Sequence, residues 1–289
     1  MALLDWYEHA RRDLPWRNPR TSAWGVYVSE IMAQQTQVDR VAPIWKAWMK
    51  RWPNPAALAS AKPADVLRAW DRLGYPRRAL WMHAAATRMV EAHGGRVPRD
   101  PDALRALPGV GEYTAAAIRA FAFKQRAIVL DVNVRRVHSR IYDGRDTPNT
   151  SITNAERDHH EQFLPDDPET AATLAQAVME FGALVCTARN PACTTCPVRK
   201  QCTWARAGFP ASATPKRKQP GFDGTDRQCR GALMRVLREA HAPVPHAQLE
   251  AVWADALQRQ RCLDGLVADG LVVPLARKRY ALPGDQAVN

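Results

Sequence analysis

Apolar residues recur at spacings of three and four along the first 203 residues, where the alternating pattern of strands is scarce. In ADVLRAWDRLG, one such stripe comprises Val66, Leu67, Trp70 and Leu73. Gly74 is expected to close that helix, because glycine readily adopts the left-handed conformation of a C-terminal cap. A second stripe runs through ETAATLAQAVMEFGALVC towards a group of cysteines. The pattern predicts a mainly α-helical fold.

The pattern changes after residue 203. Residues 204–221 are rich in Pro, Gly, Ser and Lys, which predicts a basic linker. Residues 222–289 predict three helices followed by a short hairpin around Ala276–Arg277. This order resembles a winged helix, and a small structural cap without a ligand is the alternative.

Composition narrows the range of partners. No apolar run reaches the roughly 18 residues of a transmembrane helix, and the N-terminus lacks a basic segment followed by an apolar one. We therefore expect a cytoplasmic protein without a membrane partner. Lys and Arg outnumber Asp and Glu by 41 to 29, giving a net charge of +12. This excess favours a polyanionic partner such as nucleic acid, and a role in solubility alone is the alternative.

Four of the six cysteines lie in CTARNPACTTCPVRKQC, with the spacing C-x6-C-x2-C-x5-C. Short loops can fold four thiolates around one metal centre at small entropic cost. Zinc is the general interpretation, but the 6-2-5 spacing matches the four-iron–four-sulfur (4Fe–4S) loop of one superfamily of DNA glycosylases. The expected ligands are Cys186, Cys193, Cys196 and Cys202. The neighbouring Arg189, Arg199 and Lys200 would suit contact with DNA phosphates.

A glycine-containing turn precedes a predicted helix in LPGVGEYTAAAI. Gly109, Val110 and Gly111 can present backbone N–H groups to a phosphate, and the helix dipole favours an anion there. Asp131 follows Gly111 by twenty residues, at the start of another predicted helix. An aspartate at that position can be a helix N-cap or a catalytic carboxylate, and the following VNVRRV favours the catalytic role.

Taken together, these motifs resemble the helix-hairpin-helix superfamily of DNA repair glycosylases, and more closely its MutY adenine glycosylase family. The resemblance covers residues 1–203. The stretches that carry it are RRDLPWR, VSEIMAQQTQV, DRLGYPRRA, LPGVGEYTA, DVNVRRV, LAQAVMEFGALVC and the cysteine loop.

The resemblance implies both an architecture and a substrate. The implied regions are a six-helix barrel with the helix-hairpin-helix (21–126), a cluster-bearing helical domain (1–20 and 127–203), the basic linker (204–221) and the winged-helix-like domain (222–289). Double-stranded DNA would lie across the groove between the two helical domains, with a mispaired adenine flipped out of the duplex. The protein would act as a nucleoid-associated monomer.

The family's functional residues map onto this chain as follows. Glu30 matches the general acid that protonates the leaving base, and Asp131 matches the carboxylate that stabilises the sugar cation. Asn133 and Tyr113 match supporting polar groups. The residues matching the adenine pocket are Arg12, Trp16, Arg17, Val38 and Gln176. Those matching the residues that press into the duplex and probe the opposite base are Gln35, Thr36, Leu73 and Tyr75.

Two positions and the C-terminal segment qualify the resemblance. Bifunctional relatives such as endonuclease III carry lysine at the position of Tyr113, where its amine forms a Schiff base, so this chain is expected to be monofunctional. Ala33 stands where leucine is usual, which loosens one wall of the pocket. Only 87 residues follow Cys202, and their pattern is unlike the family's usual pyrophosphohydrolase-like C-terminal domain.

We therefore expect a hydrolase of base excision repair that removes adenine opposite 8-oxoguanine or guanine. The nearest alternative is a glycosylase that removes thymine or uracil opposite guanine, against which VSEIMAQQT and Gln176 argue. A non-catalytic DNA-binding protein is a third possibility, which the presence of both Glu30 and Asp131 disfavours.

Overall fold

The computed structural model describes residues 2–212 and 221–285, so residues 213–220 of the expected linker lie outside the described residues. The chain divides into two compact units. The first comprises Met1–Tyr27, Arg99–Arg105 and Val110–Arg217, and the second comprises Val28–Pro98, Ala106–Gly109 and Lys218–Asn289. Between residues 2 and 212 the structure contains helices and loops but no strand, as the apolar spacing predicts.

The first unit is helical. Its elements are α1 (Ala2–Ala10), the short 3-10 helix Pro15–Arg17, α7 (Pro101–Arg105), α8 (Glu112–Phe123), α9 (Val132–Ile141), α10 (Asn154–Glu161), α11 (Pro168–Leu184) and α12 (Thr203–Arg206). α2 (Ala23–Ala33) begins in this unit and ends in the second. The predicted helix running towards the cysteines is α11.

Side-chain caps mark the starts of α9, α10 and α11 in this unit. Asp167 accepts a hydrogen bond from the Thr170 N–H at the start of α11, which meets one of the unpaired donors of the first turn. α11 packs against α9 and α1, and Phe181 of α11 is fully buried with the edge of Trp6 against it at 5.2 Å between ring centroids. This packing sets α9, and with it Asp131, against a rigid helical surface.

The second unit combines the middle of the chain with its C-terminal part. Its helices from the middle of the chain are α3 (Val38–Arg51), α4 (Pro55–Ala59), α5 (Pro63–Trp70) and α6 (Arg77–His93). From the C-terminal part it takes α13 (Asp226–Glu239), β1 (Val244–Pro245), α14 (His246–Glu250), α15 (Ala256–Ala268), β2 (Val273–Leu275) and β3 (Arg279–Ala281). No helix among the described residues is both long and apolar enough to cross a membrane.

The expectation that Gly74 closes α5 is wrong. The helix ends at Trp70, because the next residue, Asp71, leaves the helical region with φ 44° and ψ −123°. Trp70 itself is fully buried and packs edge-on against Trp48 at 5.6 Å between centroids. Leu73 and Gly74 therefore belong to a loop that joins α5 to α6.

The C-terminal helices carry a small antiparallel sheet of order β1-β3-β2. Val273 pairs with Ala281, and Val244 of the additional strand β1 pairs with Tyr280. The tip of the β2–β3 hairpin is formed by Arg277 and Lys278, both in the left-handed conformation with φ 58° and 51°. The helices and the hairpin lie in the predicted order, while the winged-helix assignment of this domain remains a prediction.

We predict that Gly182→Ala lowers the melting temperature by loosening the packing between α11 and α9. An added methyl group at Gly182 would lie 2.8 Å from Cβ of Asn133 and 3.0 Å from its backbone oxygen. Overpacking of this kind costs about 1–3 kcal/mol. Thermal unfolding followed by circular dichroism measures the change.

Gly231→Ala provides the matched control. Gly231 lies within α13, and a methyl group there would meet nothing within 4 Å. Replacing an exposed helical glycine with alanine stabilises by about 0.5–1 kcal/mol, so this variant should melt at or above the wild-type temperature. Equal melting of the Gly182→Ala variant and the wild type would contradict the close packing of α9 on α11.

Candidate active site

Asp131 forms the N-cap of α9. One carboxylate oxygen accepts the Val134 N–H at 2.6 Å, and the other accepts the Asn133 Nδ2 amide at 2.9 Å. Burial raises the pKa of Asp131 above its ordinary value, whereas these hydrogen bonds oppose the rise because they favour the charged form. Asp131 thus combines the helix cap with a half-buried carboxylate of fixed orientation.

Arg136, one turn along α9, fixes the amide that holds Asp131. Its Nη2 donates to Asn133 Oδ1 at 2.8 Å and to the Gly182 carbonyl at 2.6 Å. Its Nε donates to the Cys186 carbonyl at 2.8 Å. Because the amide oxygen of Asn133 receives the guanidinium, its NH2 group faces Asp131. A continuous chain of hydrogen bonds therefore joins the carboxylate to the first cysteine of the loop.

The four cysteines of the loop border one small cavity and are free of disulfides. Arg140 lines the same cavity and is almost fully buried. Its guanidinium donates to Cys186 Sγ at 3.4 Å, to the Thr187 carbonyl at 2.7 Å and to Asp146 Oδ1 at 2.7 Å. A cation held this close to the cysteines is suited to a set of anionic thiolates.

The donor set fits an iron–sulfur cluster better than zinc. A single zinc ion needs its ligands to converge at Zn–S distances of about 2.3 Å. Within the described ranges, no three His, Cys, Asp or Glu side chains converge so as to hold a single metal ion. Four thiols that surround a shared cavity without converging on one point suit a polynuclear cluster, whose iron atoms are each held by a cysteine thiolate.

Two of the predicted adenine-pocket residues, Arg12 and Arg17, meet on one buried carboxylate. Glu180, 1% exposed, accepts from the Arg12 backbone N–H, Nε and Nη2 at 2.8–2.9 Å. Arg17 adds hydrogen bonds of 3.1 and 2.9 Å. Burial alone would raise the pKa of Glu180, but the hydrogen bonds from both arginines outweigh it and lower the pKa to about 2. The pair of guanidinium groups is thereby fixed on an anion.

The other residues predicted for the adenine pocket lie on several elements. Gln176 on α11 accepts a hydrogen bond from the Tyr7 hydroxyl through Oε1 at 2.9 Å, which orients its amide. Trp16 is half-buried in the 3-10 helix Pro15–Arg17 of the first unit. Val38, also half-buried, begins α3 in the second unit.

Glu30 and Tyr113 are both half-buried on helices. Glu30 lies on α2 between Ser29 and Ile31, which are buried almost completely. Tyr113 is the second residue of α8, and its ring packs against a buried group that includes Ala117 and Ala175. Tyr113 therefore has a packing role in the first unit.

The four residues predicted to probe the duplex divide into exposed and buried ones. Gln35 and Tyr75 are exposed, and both adopt the left-handed conformation with φ 56° and 45°. Thr36 and Leu73 are 9% and 2% exposed, so their side chains face the protein. The Thr36 hydroxyl donates to the Leu73 carbonyl at 3.0 Å. These contacts make Thr36 a support of the loop between α2 and α3, and Leu73 a support of the loop between α5 and α6.

The turn of the helix-hairpin-helix requires glycine at position 109. Gly109 has φ +78°, and an added methyl group would lie 3.0 Å from Cβ of Trp81. Gly111 is the N-cap of α8, and as a glycine it has no side chain to bond the N–H groups of the first turn. The Val110 side chain is buried in the protein. The groups that this turn can offer to a phosphate are therefore its backbone amides.

Sequence reasoning missed Glu180, Arg136 and Arg78. Glu180 and Arg136 lie inside the quoted motifs MEFGALVC and DVNVRRV, where a charged residue in an apolar helical stripe was the available signal. Arg78, 4% exposed, donates to backbone carbonyls of the loop after α2 and of the loop between α5 and α6, including Gln34 at 2.6 Å and Gly74 at 3.1 Å. Burial lowers the pKa of Arg78 to about 10, so it remains cationic near neutral pH.

Comparisons with known proteins agree with these features. Residues 28–160 match the family described as HhH-GPD superfamily base excision DNA repair protein, and residues 186–202 match the iron-sulfur binding domain of endonuclease III. The adenine DNA glycosylase of Mycolicibacterium smegmatis is 50% identical over 287 residues, which cover 99% of this chain and 96% of that protein. The human adenine DNA glycosylase is 40% identical over 210 residues, which cover 70% of this chain and 38% of that protein.

Among solved structures, a thermostable thymine-DNA glycosylase superposes with a TM-score of 0.64 at 28% identity, over 71% of this chain and 94% of that one. The mainly α-helical glycosylase fold is therefore confirmed, as is the 4Fe–4S site of Cys186, Cys193, Cys196 and Cys202. The hairpin, the Asp131 carboxylate and the cysteine loop are all in place, and half of the residues are identical to those of a relative matched along almost its whole length. The chain therefore belongs to the adenine DNA glycosylases of the helix-hairpin-helix superfamily.

Proposed function

We propose that this enzyme hydrolyses the N-glycosidic bond of adenine mispaired with 8-oxoguanine or guanine, and that it leaves the DNA strand intact. The observation that carries the proposal is the Asp131 carboxylate, held by the Val134 N–H and the Asn133 amide. Loss of a purine base leaves positive charge on the sugar, and a fixed anion stabilises that charge as it develops.

The reaction also needs a proton donor for the departing base. A base leaves far more readily as a neutral purine than as an anion. We assign the protonation to Glu30, which matches the family's general acid and lies half-buried on α2. Asp131 then faces the sugar cation, while Asn133 and Arg136 keep its carboxylate oriented through their hydrogen bonds. Water adds to the cation after the base has left, and Glu30 can help to activate that water.

Tyr113 supports a monofunctional reaction. Strand cleavage by this superfamily's bifunctional members depends on an amine that forms a Schiff base with the sugar. A phenol cannot form one, and the Tyr113 ring is engaged in packing on α8. The expected product is an abasic site that breaks only on treatment with alkali.

The Arg12–Glu180–Arg17 group supports recognition of the flipped adenine. The Glu180 carboxylate balances the charge of one arginine, so the group keeps a net positive charge. The side chains of Arg12 and Arg17 are 34% and 16% exposed, so both remain accessible to a ligand. Gln176 offers an amide whose oxygen is already used by Tyr7, so its NH2 group is the part suited to a purine ring nitrogen. We propose that these residues line the base pocket together with Trp16.

The cysteine loop supports DNA binding rather than the bond cleavage itself. When bound, the cluster supplies a fixed scaffold for the loop that carries the exposed residues Arg189, Arg199 and Lys200. These side chains are suited to phosphate contacts. The hairpin at Gly109–Gly111 adds backbone donors for another phosphate.

The C-terminal domain is proposed to act as a second DNA contact. Ala276, Arg277, Lys278 and Arg279 are all exposed at the tip of the β2–β3 hairpin. Three adjacent cations on one turn are suited to a phosphate backbone, as in the wing of a winged helix. This contact would add to the affinity that the helical regions supply.

We predict that Glu30→Gln and Asp131→Asn each slow base release by orders of magnitude while sparing DNA binding. Loss of a positioned general acid lowers a rate by about 10²- to 10⁴-fold, and loss of one electrostatic stabiliser by about 10²- to 10³-fold. Single-turnover release of adenine from a duplex with adenine opposite 8-oxoguanine measures the rate. A gel-shift titration of the same duplex measures binding.

Glu91→Gln removes an exposed carboxylate from α6 and serves as the control. It should release adenine at the wild-type rate. Retention of full activity by the Asp131→Asn variant would contradict the assignment of the sugar-stabilising carboxylate, and the same result for Glu30→Gln would contradict that of the proton donor.

We predict that the triple change Arg277→Asn, Lys278→Asn and Arg279→Gln weakens duplex binding in a salt-dependent manner. Asn tolerates the left-handed backbone of the hairpin tip, so the turn should persist. The slope of log affinity against log salt should become shallower by about 0.9 for each phosphate that the variant no longer neutralises. Titrations at several salt concentrations measure it.

A single-charge comparison tests whether position matters. Lys278→Asn removes one cation from the hairpin tip, whereas Arg235→Gln removes one from the exposed surface of α13. The hairpin change should make the slope shallower and the α13 change should not. Identical slopes for the triple variant and the wild type would show that the hairpin does not bind DNA.

A further inference from the structure

The loop from Asp71 to Pro76 joins α5 to α6 and carries the exposed Tyr75. Its backbone is strained, because the non-glycine residues Asp71 and Tyr75 have φ 44° and 45°. Residues other than glycine rarely adopt this conformation, so contacts around the loop must hold it in place. We refer to residues 71–76 as the probe loop.

Hydrogen bonds from within the helical core hold the inner side of the probe loop. Arg78 donates to the Leu73 and Gly74 carbonyls at 3.3 and 3.1 Å. Trp70 adds a bond from Nε1 to the same Gly74 carbonyl at 2.9 Å. These hydrogen bonds fix the middle of the loop but leave its two stems, at the end of α5 and the start of α6, to other partners.

The C-terminal helices hold the stem at the start of α6. Arg77, two residues after Tyr75, donates to Asp269 Oδ1 at 3.2 Å. The other oxygen of Asp269 accepts from Arg230 on α13. An added methyl group at Gly265 on α15 would lie 2.6 Å from Arg230 Nη1, so a glycine at 265 leaves Arg230 the room to reach Asp269.

The same C-terminal region holds the stem at the end of α5. Arg68 donates through Nη2 to the Ala240 carbonyl at 2.7 Å and through Nε to the Arg238 carbonyl at 3.1 Å, at the end of α13. Arg68 also pairs with the Asp285 carboxylate. The backbone carbonyl of Arg68 accepts the Asp71 N–H at 3.1 Å, which ties this anchor to the first residue of the probe loop.

We propose that Asp269 is a positioning residue for the probe loop, and that the C-terminal domain thereby takes part in distinguishing the base opposite adenine. The proposal rests on the proposed function and on Tyr75 meeting the opposite base, as the family resemblance implies. Arg68 and Arg77 lie on the two flanks of the loop, and both are bound by residues of the C-terminal domain. The domain can therefore set the angle at which the loop presents Tyr75.

The solvent exposure of the Arg77–Asp269 ion pair separates a positioning role from a stabilising one. The side chains of Arg77 and Asp269 are 52% and 32% exposed, and ion pairs this accessible to water contribute little to global stability. Removing the Asp269 charge should therefore leave the protein folded. The consequence should appear instead in the freedom of the loop and in the discrimination that depends on its geometry.

The test compares Asp269→Asn with Asp264→Asn. Asp264 lies on α15 and Asp269 at its C-terminal end, but Asp264 accepts a hydrogen bond from Gln260 instead of reaching α6. Asn remains compatible with the C-cap position that Asp269 occupies. Hydrogen–deuterium exchange of residues 71–78 without DNA gives a readout that is independent of activity, and the melting temperature checks the fold.

Asp269→Asn should raise exchange in the probe loop about tenfold and lower the ratio of adenine release opposite 8-oxoguanine to that opposite guanine by a similar factor. Asp264→Asn should change neither. In an Arg77→Gln background, Asp269→Asn should have no further effect, since Asp269 acts through Arg77.

Unchanged exchange in the Asp269→Asn variant would overturn the positioning role. Equal slowing on both duplexes, with their ratio intact, would overturn the role in discrimination. No release of adenine by the wild-type protein would contradict the proposed function instead, and the exchange data would still decide whether Asp269 holds the loop.

Discussion

The Asp131 carboxylate is kept in place by two donors of α9, and much of the first unit is arranged around that requirement. A half-buried anion is tolerated only where hydrogen bonds replace its lost hydration. The Val134 N–H and the Asn133 amide supply them. Arg136 holds the amide by donating to its oxygen, and is itself anchored on the carbonyls of Gly182 and Cys186. Gly182 lacks a side chain because α9 approaches too closely for one.

Arginine joins separate elements within each unit. Arg78, Arg136 and Arg140 are nearly buried and donate mainly to backbone carbonyls or to the cysteine loop. The guanidinium group suits this role because its five donors can satisfy several carbonyls at loop ends at once. Part of the +12 charge is therefore structural, and only the exposed fraction is available to DNA.

Local patterns predicted the parts of the molecule that depend on local chemistry. The stripe of α11, the cysteine spacing and the glycine at position 109 each follow from rules that operate within about twenty residues. The end of α5 escaped prediction because it depends on the backbone conformation of Asp71, which no local residue pattern indicates. Glu180 escaped for the same reason: nothing near it in sequence indicates that Arg12 and Arg17, far away in the chain, converge on it.

The C-terminal domain contacts both flanks of the probe loop. Its ion pairs with Arg68 and Arg77 give it a physical route to the probe loop that needs no separate lesion-binding pocket. A small domain can influence recognition in this way by holding a strained loop from outside.

The central claim is removal of adenine without strand cleavage, and one assay tests it most directly. Purified protein would be incubated with duplexes that carry adenine opposite 8-oxoguanine, adenine opposite guanine, or thymine opposite guanine, and strand breaks would be scored with and without alkali. The account predicts breaks at adenine only, and only after alkali. Breaks at thymine, or breaks at adenine without alkali, would contradict it.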